Sequence, residues 1–154
     1  TILNNSIINM WSWAVILGDA HRNTICGNSI TQNSGGIYLR DSNENMIFEN
    51  DICDNYRGIV LTDQQATSSQ NTVSQNNFEN NRQIDASFLA AQNLPGKNMW
   101  DGNYWNRART LPKLIVGTKK VILIPGAPFH FPGFWISIPW VNVDWYPALE
   151  PVIH

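Results

Sequence analysis

Asn23-Thr24-Ile25-Cys26-Gly27-Asn28-Ser29-Ile30-Thr31-Gln32-Asn33 returns as Asn45-Met46-Ile47-Phe48-Glu49-Asn50-Asp51-Ile52-Cys53-Asp54-Asn55, and again as Asn71-Thr72-Val73-Ser74-Gln75-Asn76-Asn77-Phe78-Glu79-Asn80-Asn81. A clipped copy, Thr1-Ile2-Leu3-Asn4-Asn5-Ser6-Ile7-Ile8-Asn9, opens the chain. The central asparagines Asn5, Asn28, Asn50 and Asn76 lie 23, 22 and 26 residues apart. A period in the low twenties with strand-like content and no helical stripe indicates a solenoid. In each copy an apolar residue stands three before the central Asn (Ile2, Ile25, Ile47, Val73) and another two after it (Ile7, Ile30, Ile52, Phe78). Two short strands meeting at an Asn fit a bend, because Asn tolerates left-handed backbone and bonds locally.

A further strand follows in most copies, Gly36-Ile37-Tyr38-Leu39 and Gly58-Ile59-Val60-Leu61, with residues 14–17 in the first. Apolar residues alternate there with the period of a half-buried strand. Coils stacked at about 4.8 Å pair each strand with its equivalent in the next coil. The central asparagines then form an inward ladder whose amides satisfy one another, as buried polar groups must be. The expected fold is all-β, a right-handed parallel β-helix of about four coils.

Composition changes near residue 93. All eight prolines lie beyond it, while the asparagine-rich coils lie before it. The chain therefore divides into coils over residues 1–92 and a last coil with a Trp/Pro-rich C-terminal cap over residues 93–154. Asn98 and Asn103 keep the spacing of Asn71 and Asn76, so the turn of the solenoid continues into the second part. Lys120-Val121-Ile122-Leu123-Ile124 is a further strand candidate.

Charged residues make up 14% of the chain and the formal net charge is −2, which offers no footprint for nucleic acid. No apolar run is long enough to span a bilayer. Cys26 lies two before its central Asn and Cys53 three after its own, too far apart along the coil for a disulfide, so both are expected as free thiols. The chain begins inside a repeat, and an exposed first coil would leave an uncovered sheet edge. The sequence accordingly reads as the C-terminal part of a longer chain, with upstream coils as a partner.

The coil motif, followed by Trp100-Asp101, Gly102-Asn103-Tyr104-Trp105 and a closing Asp144-Trp145-Tyr146-Pro147, resembles the NosD-like family. These are parallel β-helix proteins of the carbohydrate-binding and sugar-hydrolase superfamily, found at archaeal and bacterial cell surfaces and in the periplasm. The resemblance implies an extracellular, cell-surface or periplasmic location. It also implies that the two terminal motifs meet in space, with Trp105 and Tyr146 closing the open core. The family's namesake serves maturation of a copper enzyme, but no histidine or cysteine pair here has ligand spacing. Many relatives carry an Asp/Gly-rich, calcium-like loop where this chain has residues 107–139, so that metal site is not carried over.

Two constellations are candidates for chemistry. Asp19, Asp41 and Asp63 align at the ends of successive strands. Stacked carboxylates invite Ca²⁺, or, through Asp41 and Asp63, the carboxylate pair of a glycoside hydrolase or polysaccharide lyase. Turn-capping is the competing reading, since Asp commonly serves turns. The aromatic set is the second: Trp11, Trp13 and Tyr38, with Arg57, are candidates for a glycan or polysaccharide surface. Trp100, Tyr104, Trp105, Trp135, Trp140, Trp145 and Tyr146 are read chiefly as a hydrophobic cap. Three functions follow: a non-catalytic binding or scaffold domain, which is the leading reading; a carbohydrate-active enzyme; and an accessory protein in metalloenzyme maturation.

Overall fold

A computed structural model describes residues 1–63, 68–91, 98–122 and 135–154. Coil 1 contains β1 (Ile2–Leu3), β2 (Ser6–Ile8) and β3 (Trp13–Gly18). Coil 2 contains β4 (Thr24–Cys26), β5 (Ser29–Thr31) and β6 (Gly35–Arg40). Coil 3 contains β7 (Met46–Phe48), β8 (Asp51–Cys53) and β9 (Arg57–Thr62). Coil 4 contains β10 (Thr72–Ser74), β11 (Asn77–Glu79) and β12 (Ile84–Ala91). A fifth turn, β13 (Met99–Asp101) and β14 (Tyr104–Trp105), runs into a hairpin of β15 (Lys113–Ile122) and β16 (Trp135–Asp144).

Each strand pairs in parallel with its equivalent in the next coil, making three stacks and a parallel β-helix. The expected apolar columns form: Ile25 beside Ile47 beside Val73, Ile30 beside Ile52 beside Phe78, and Leu17 beside Leu39 beside Leu61. Two of them end in indoles, Val73 pairing with Trp100 and Phe78 with Trp105. The third stack's column runs on from Leu61 to Phe88 and then to Gly117, where a Cβ would lie 2.6 Å from the Phe88 ring. Part of the proposed strand at residues 120–124 falls within β15, and Leu123 and Ile124 lie outside the described residues.

The asparagine ladder is present and threefold. Asn28 donates both its backbone N–H and its amide to Asn50 Oδ1 (3.0 and 2.9 Å), and Asn50 does the same to Asn76 Oδ1 (3.1 and 2.9 Å). Parallel ladders run through Asn23, Asn45, Asn71 and Asn98, and through Asn33, Asn55 and Asn81. The bends differ from expectation in one respect. The left-handed residue is not the ladder Asn but the one before it: Asn4, Gly27, Glu49, Gln75 and Gly102, with φ between 53° and 65°. The Asn itself faces inward, and its amide secures the turn that its predecessor makes. Equivalent left-handed residues precede the other ladders, at Arg22, Glu44 and Gln70, and at Gln32, Asp54 and Asn80.

The terminal motifs do meet. β16 pairs antiparallel with β15 and touches β13 at Trp100 and Asp144, so it crosses beneath the last turn. There Asp144 takes the place of the next ladder residue. Its Oδ2 accepts from Asn103 N (3.1 Å), Asn103 Nδ2 (3.0 Å) and Trp105 Nε1 (3.0 Å). Ala148 N donates to Asn103 O at 2.9 Å, as the next coil's backbone would. Trp105 is fully buried and stacks on Phe78 at 4.5 Å. Tyr146 does not join it; its ring is 78% exposed, because its backbone N–H, not its side chain, is tied to Asp144 Oδ1. Trp140 and Trp145 are exposed as well, so the aromatic set splits between core and surface.

Asp144→Ala strips a fully buried carboxylate from four donors. It should lower unfolding free energy by roughly 3–5 kcal/mol, since hydrogen bonds to charged groups and orphaned buried donors are both costly. Urea denaturation checks it; an unchanged midpoint would show that Asp144 does not close the stack.

Candidate functional site

Among the described residues, the corners between the second and third stacks form a concave surface. A cleft of about 770 Å³ follows them through the first four coils. Its wall is a column produced by the repeat: Ser34 N donates to Met10 O, Tyr56 N to Asn33 O and Arg82 N to Asn55 O. Trp11, Ser34, Tyr56 and Arg82 are therefore equivalent positions, each following a residue of the third ladder column, and all four line the cleft. The left-handed residues Asn9, Gln32, Asp54 and Asn80 form a neighbouring column in the same wall. Trp11 is 96% exposed.

Trp13 and Tyr38 sit beside this cleft, on the outer face of the third stack. Their rings stack at 5.1 Å with 27° between planes. A glycine makes this possible: a Cβ on Gly35 would lie 2.3 Å from the Trp13 ring, so only a bare backbone lets the indole lie flat. Thr62 Oγ1 is 3.0 Å from the Tyr38 hydroxyl and fixes its far end. Arg57 is exposed, bonded through Nε to Gln83, with its guanidinium 5.9 Å from the Tyr56 ring. The structure thus brings Trp11, Trp13, Tyr38 and Arg57 to one side of the solenoid. Sequence reasoning missed Tyr56 and the cleft wall, although their position directly after Asn33, Asn55 and Asn81 was the available signal.

Asp19, Asp41 and Asp63 lie at the other end of the third stack's strands. Their backbones are stacked in register: Asp19 N bonds Arg40 O, Asp41 N bonds Thr62 O and Asp63 N bonds Leu89 O. Asp19 is exposed, whereas Asp41 and Asp63 are buried. Asp19 and Asp41 adopt left-handed backbone, φ 49° and 50°, a conformation Asp accepts more readily than most residues. Asp63 Oδ1 accepts the Ser68 N–H. Among the described residues no group of three or more His, Cys, Asp or Glu side chains is placed to hold a metal ion.

The strands and their pairing define a parallel β-helix with a lateral cleft on its outer wall. Over residues 1–110 the sequence matches the family described as periplasmic copper-binding protein (NosD), and the chain belongs to that family. No curated protein and no solved structure matches it significantly. No helix among the described residues is long and apolar enough to cross a membrane.

The described residues do not fit copper. Cys26 and Cys53 are free but lie in different sheets. The Cys26 thiol faces Glu49 Oε2 at 3.6 Å, and that of Cys53 the Asn77 carbonyl at 3.8 Å. Burial pushes the Cys53 thiol up to about 12, with Asp51 and Glu79 adding to it. Burial and then the Glu49 carboxylate raise Cys26. A soft metal needs the thiolate, which both surroundings disfavour. His21 Nδ1 accepts the Asn43 N–H, and His130 lies outside the described residues. Both thiols should resist alkylation in the folded protein at mildly alkaline pH and react once it is unfolded. Fast native-state labelling of Cys53, read by mass spectrometry, would contradict this.

Next to the corner, burial raises the Asp85 carboxyl above its ordinary value, against a 3.1 Å bond from Asn81 and the charges of Lys113 and Arg109. A carboxyl with a raised folded pKa binds more protons folded than unfolded. Its penalty is therefore absent below the unfolded pKa, grows as pH rises toward the folded one, and is complete above it. Asp85→Asn should raise the urea midpoint at neutral pH, with the difference vanishing in acid below the ordinary carboxylate range. A difference that persists in acid would point to packing instead of charge.

Proposed function

We propose that this is a non-catalytic periplasmic binding or scaffold domain, one part of a larger surface protein, whose ligands are glycans. The observation that carries this is the Trp13–Tyr38 pair, held flat over Gly35 beside the lateral cleft. Flat rings present an apolar face at low entropic cost, and the apolar faces of sugars stack on such surfaces. The location rests on the family's description as periplasmic. Copper carriage, which that description also names, is not the reading favoured here, because the described donor residues are dispersed and the surroundings of both thiols disfavour the thiolate. A glycosidase or lyase using Asp41 and Asp63 is not favoured either: both carboxyl groups are buried, and that of Asp63 accepts the Ser68 N–H.

A glycan array with the purified chain tests the proposal. Binding without turnover is expected, and Trp13→Ala should weaken it about tenfold, the effect of losing one aromatic contact. Release of reducing ends that disappears in Asp41→Asn would overturn the proposal in favour of an enzyme.

A further inference from the structure

We infer that the lower end of the solenoid docks on an anionic phospholipid surface, with the β15–β16 hairpin as its contact face. This is a second surface, separate from the lateral cleft and independent of any sugar bound there. β16 lies between β15 and β13 in the sheet order, so it carries the sheet from the third stack across to the first and closes the lower end. A strand in that place has one face toward the core and one away from the protein. Ile115 and Asp144 mark the inner face; both are buried, and Gly117 on the same face meets the Phe88 ring. The other face is built of Leu114 opposite Val143, Val116 opposite Val141 and Thr118 opposite Pro139. Leu114 and Val116 are each 56% exposed and Val141 47%. None of the six is charged, and β16 has no charged residue before Asp144.

An exposed apolar face of this kind marks an interaction site, and its surroundings point to lipid. Directly after Asp144, Trp145 and Tyr146 leave the strand beneath the last turn, and both are exposed. Lys119 Nζ lies 5.0 Å from the ring of Trp140, which is half-exposed. Indole and phenol rings settle at the headgroup level of a bilayer, where one end is apolar and the other wet. The charge is divided along the axis in the matching sense. Residues 1–92 carry nine acidic and four basic side chains, whereas residues 93–154 carry six basic and three acidic. An anionic bilayer therefore attracts the lower end and repels the coils above it, so the solenoid stands on the surface with its lateral cleft open to solvent. A second copy of the chain fits this face less well. A stable protein interface engages about 20–30 residues a side, against the six facing outward here, and two lower ends would bring like charge together.

Flotation of the intact chain with two kinds of vesicle tests this: phosphatidylcholine mixed with phosphatidylglycerol, and phosphatidylcholine alone. The chain should float with the mixed vesicles, and added salt should release part of it by screening the cationic end. Val116→Asp with Val141→Asp should cut partitioning by about tenfold or more, through lost apolar contact and added negative charge. Ile16→Asp with Met46→Asp, the same change at exposed positions in the coils above, should not. Trp145→Ala with Tyr146→Ala, outside the sheet, should also weaken partitioning, so the test does not depend on the hairpin variant folding; melting curves establish which variants fold. Equal flotation with the two kinds of vesicle overturns the inference, as does no flotation with either, or unchanged flotation of a lower-end variant that folds. Light scattering that shows a concentration-dependent dimer, lost in the hairpin variant, overturns it in favour of a second copy.

Discussion

Everything in this protein hangs on one repeated contact, an asparagine Oδ1 that accepts two N–H groups from the asparagine one coil above. Asn50 shows the full set. Its Oδ1 takes two bonds from Asn28, while its own amide donates to Ile25 O, Phe48 O and Asn76 Oδ1. A fully buried amide is costly unless satisfied, and here it is. The same bonds fix the vertical register. A slip of one residue would carry the amides out of line and turn the apolar columns outward, so ladder and core specify each other.

The contact has a direction, and that explains how the stack ends. Along the ladder the bonds from asparagine to asparagine all run down the axis, so each asparagine needs an acceptor beneath it and offers its own Oδ1 to the one above. A carboxylate accepts without donating. Asp144 can therefore receive Asn103 and Trp105 and ask nothing of a further coil. Two of the three apolar columns widen toward this end, from Ile25 and Ile47 to Trp100 and from Ile30 and Ile52 to Trp105, so large buried rings fill the last turn.

How much of this was legible follows from what repeats. The columns of Ile25, Ile30 and Leu39 and the ladder through Asn28 recur in register, and recurrence can be read from sequence. The junction of Asp144 with Asn103 was reached through a resemblance between motifs, since no periodicity connects residues so far apart. The left-handed corners were misplaced because composition hides them. Glu49, Gln75, Arg22 and Glu44 hold φ values for which glycine or asparagine would be the ordinary choice. They do so because ladder bonds on the next residue leave no alternative, an override by tertiary structure that a local preference cannot show. For the site, the aromatic candidates Trp13 and Tyr38 were visible, but their contact depends on Gly35, a long-range packing fact.

That last point bears on where function resides in such a fold. Inward positions are committed twice, by the ladder and by the columns, and leave little freedom for change. The residue following each position of the third ladder column, Met10 in the first coil and then Asn33, Asn55 and Asn81, sits on a corner whose backbone is already fixed. Trp11, Ser34, Tyr56 and Arg82 share one backbone setting yet include an indole, a hydroxyl, a phenol and a guanidinium. Because each coil contacts only its neighbours, a side chain can change at one corner without disturbing the next. The cleft is thus a wall of independently chosen groups on a ruled scaffold, and its chemistry is carried by the order of those groups along the axis.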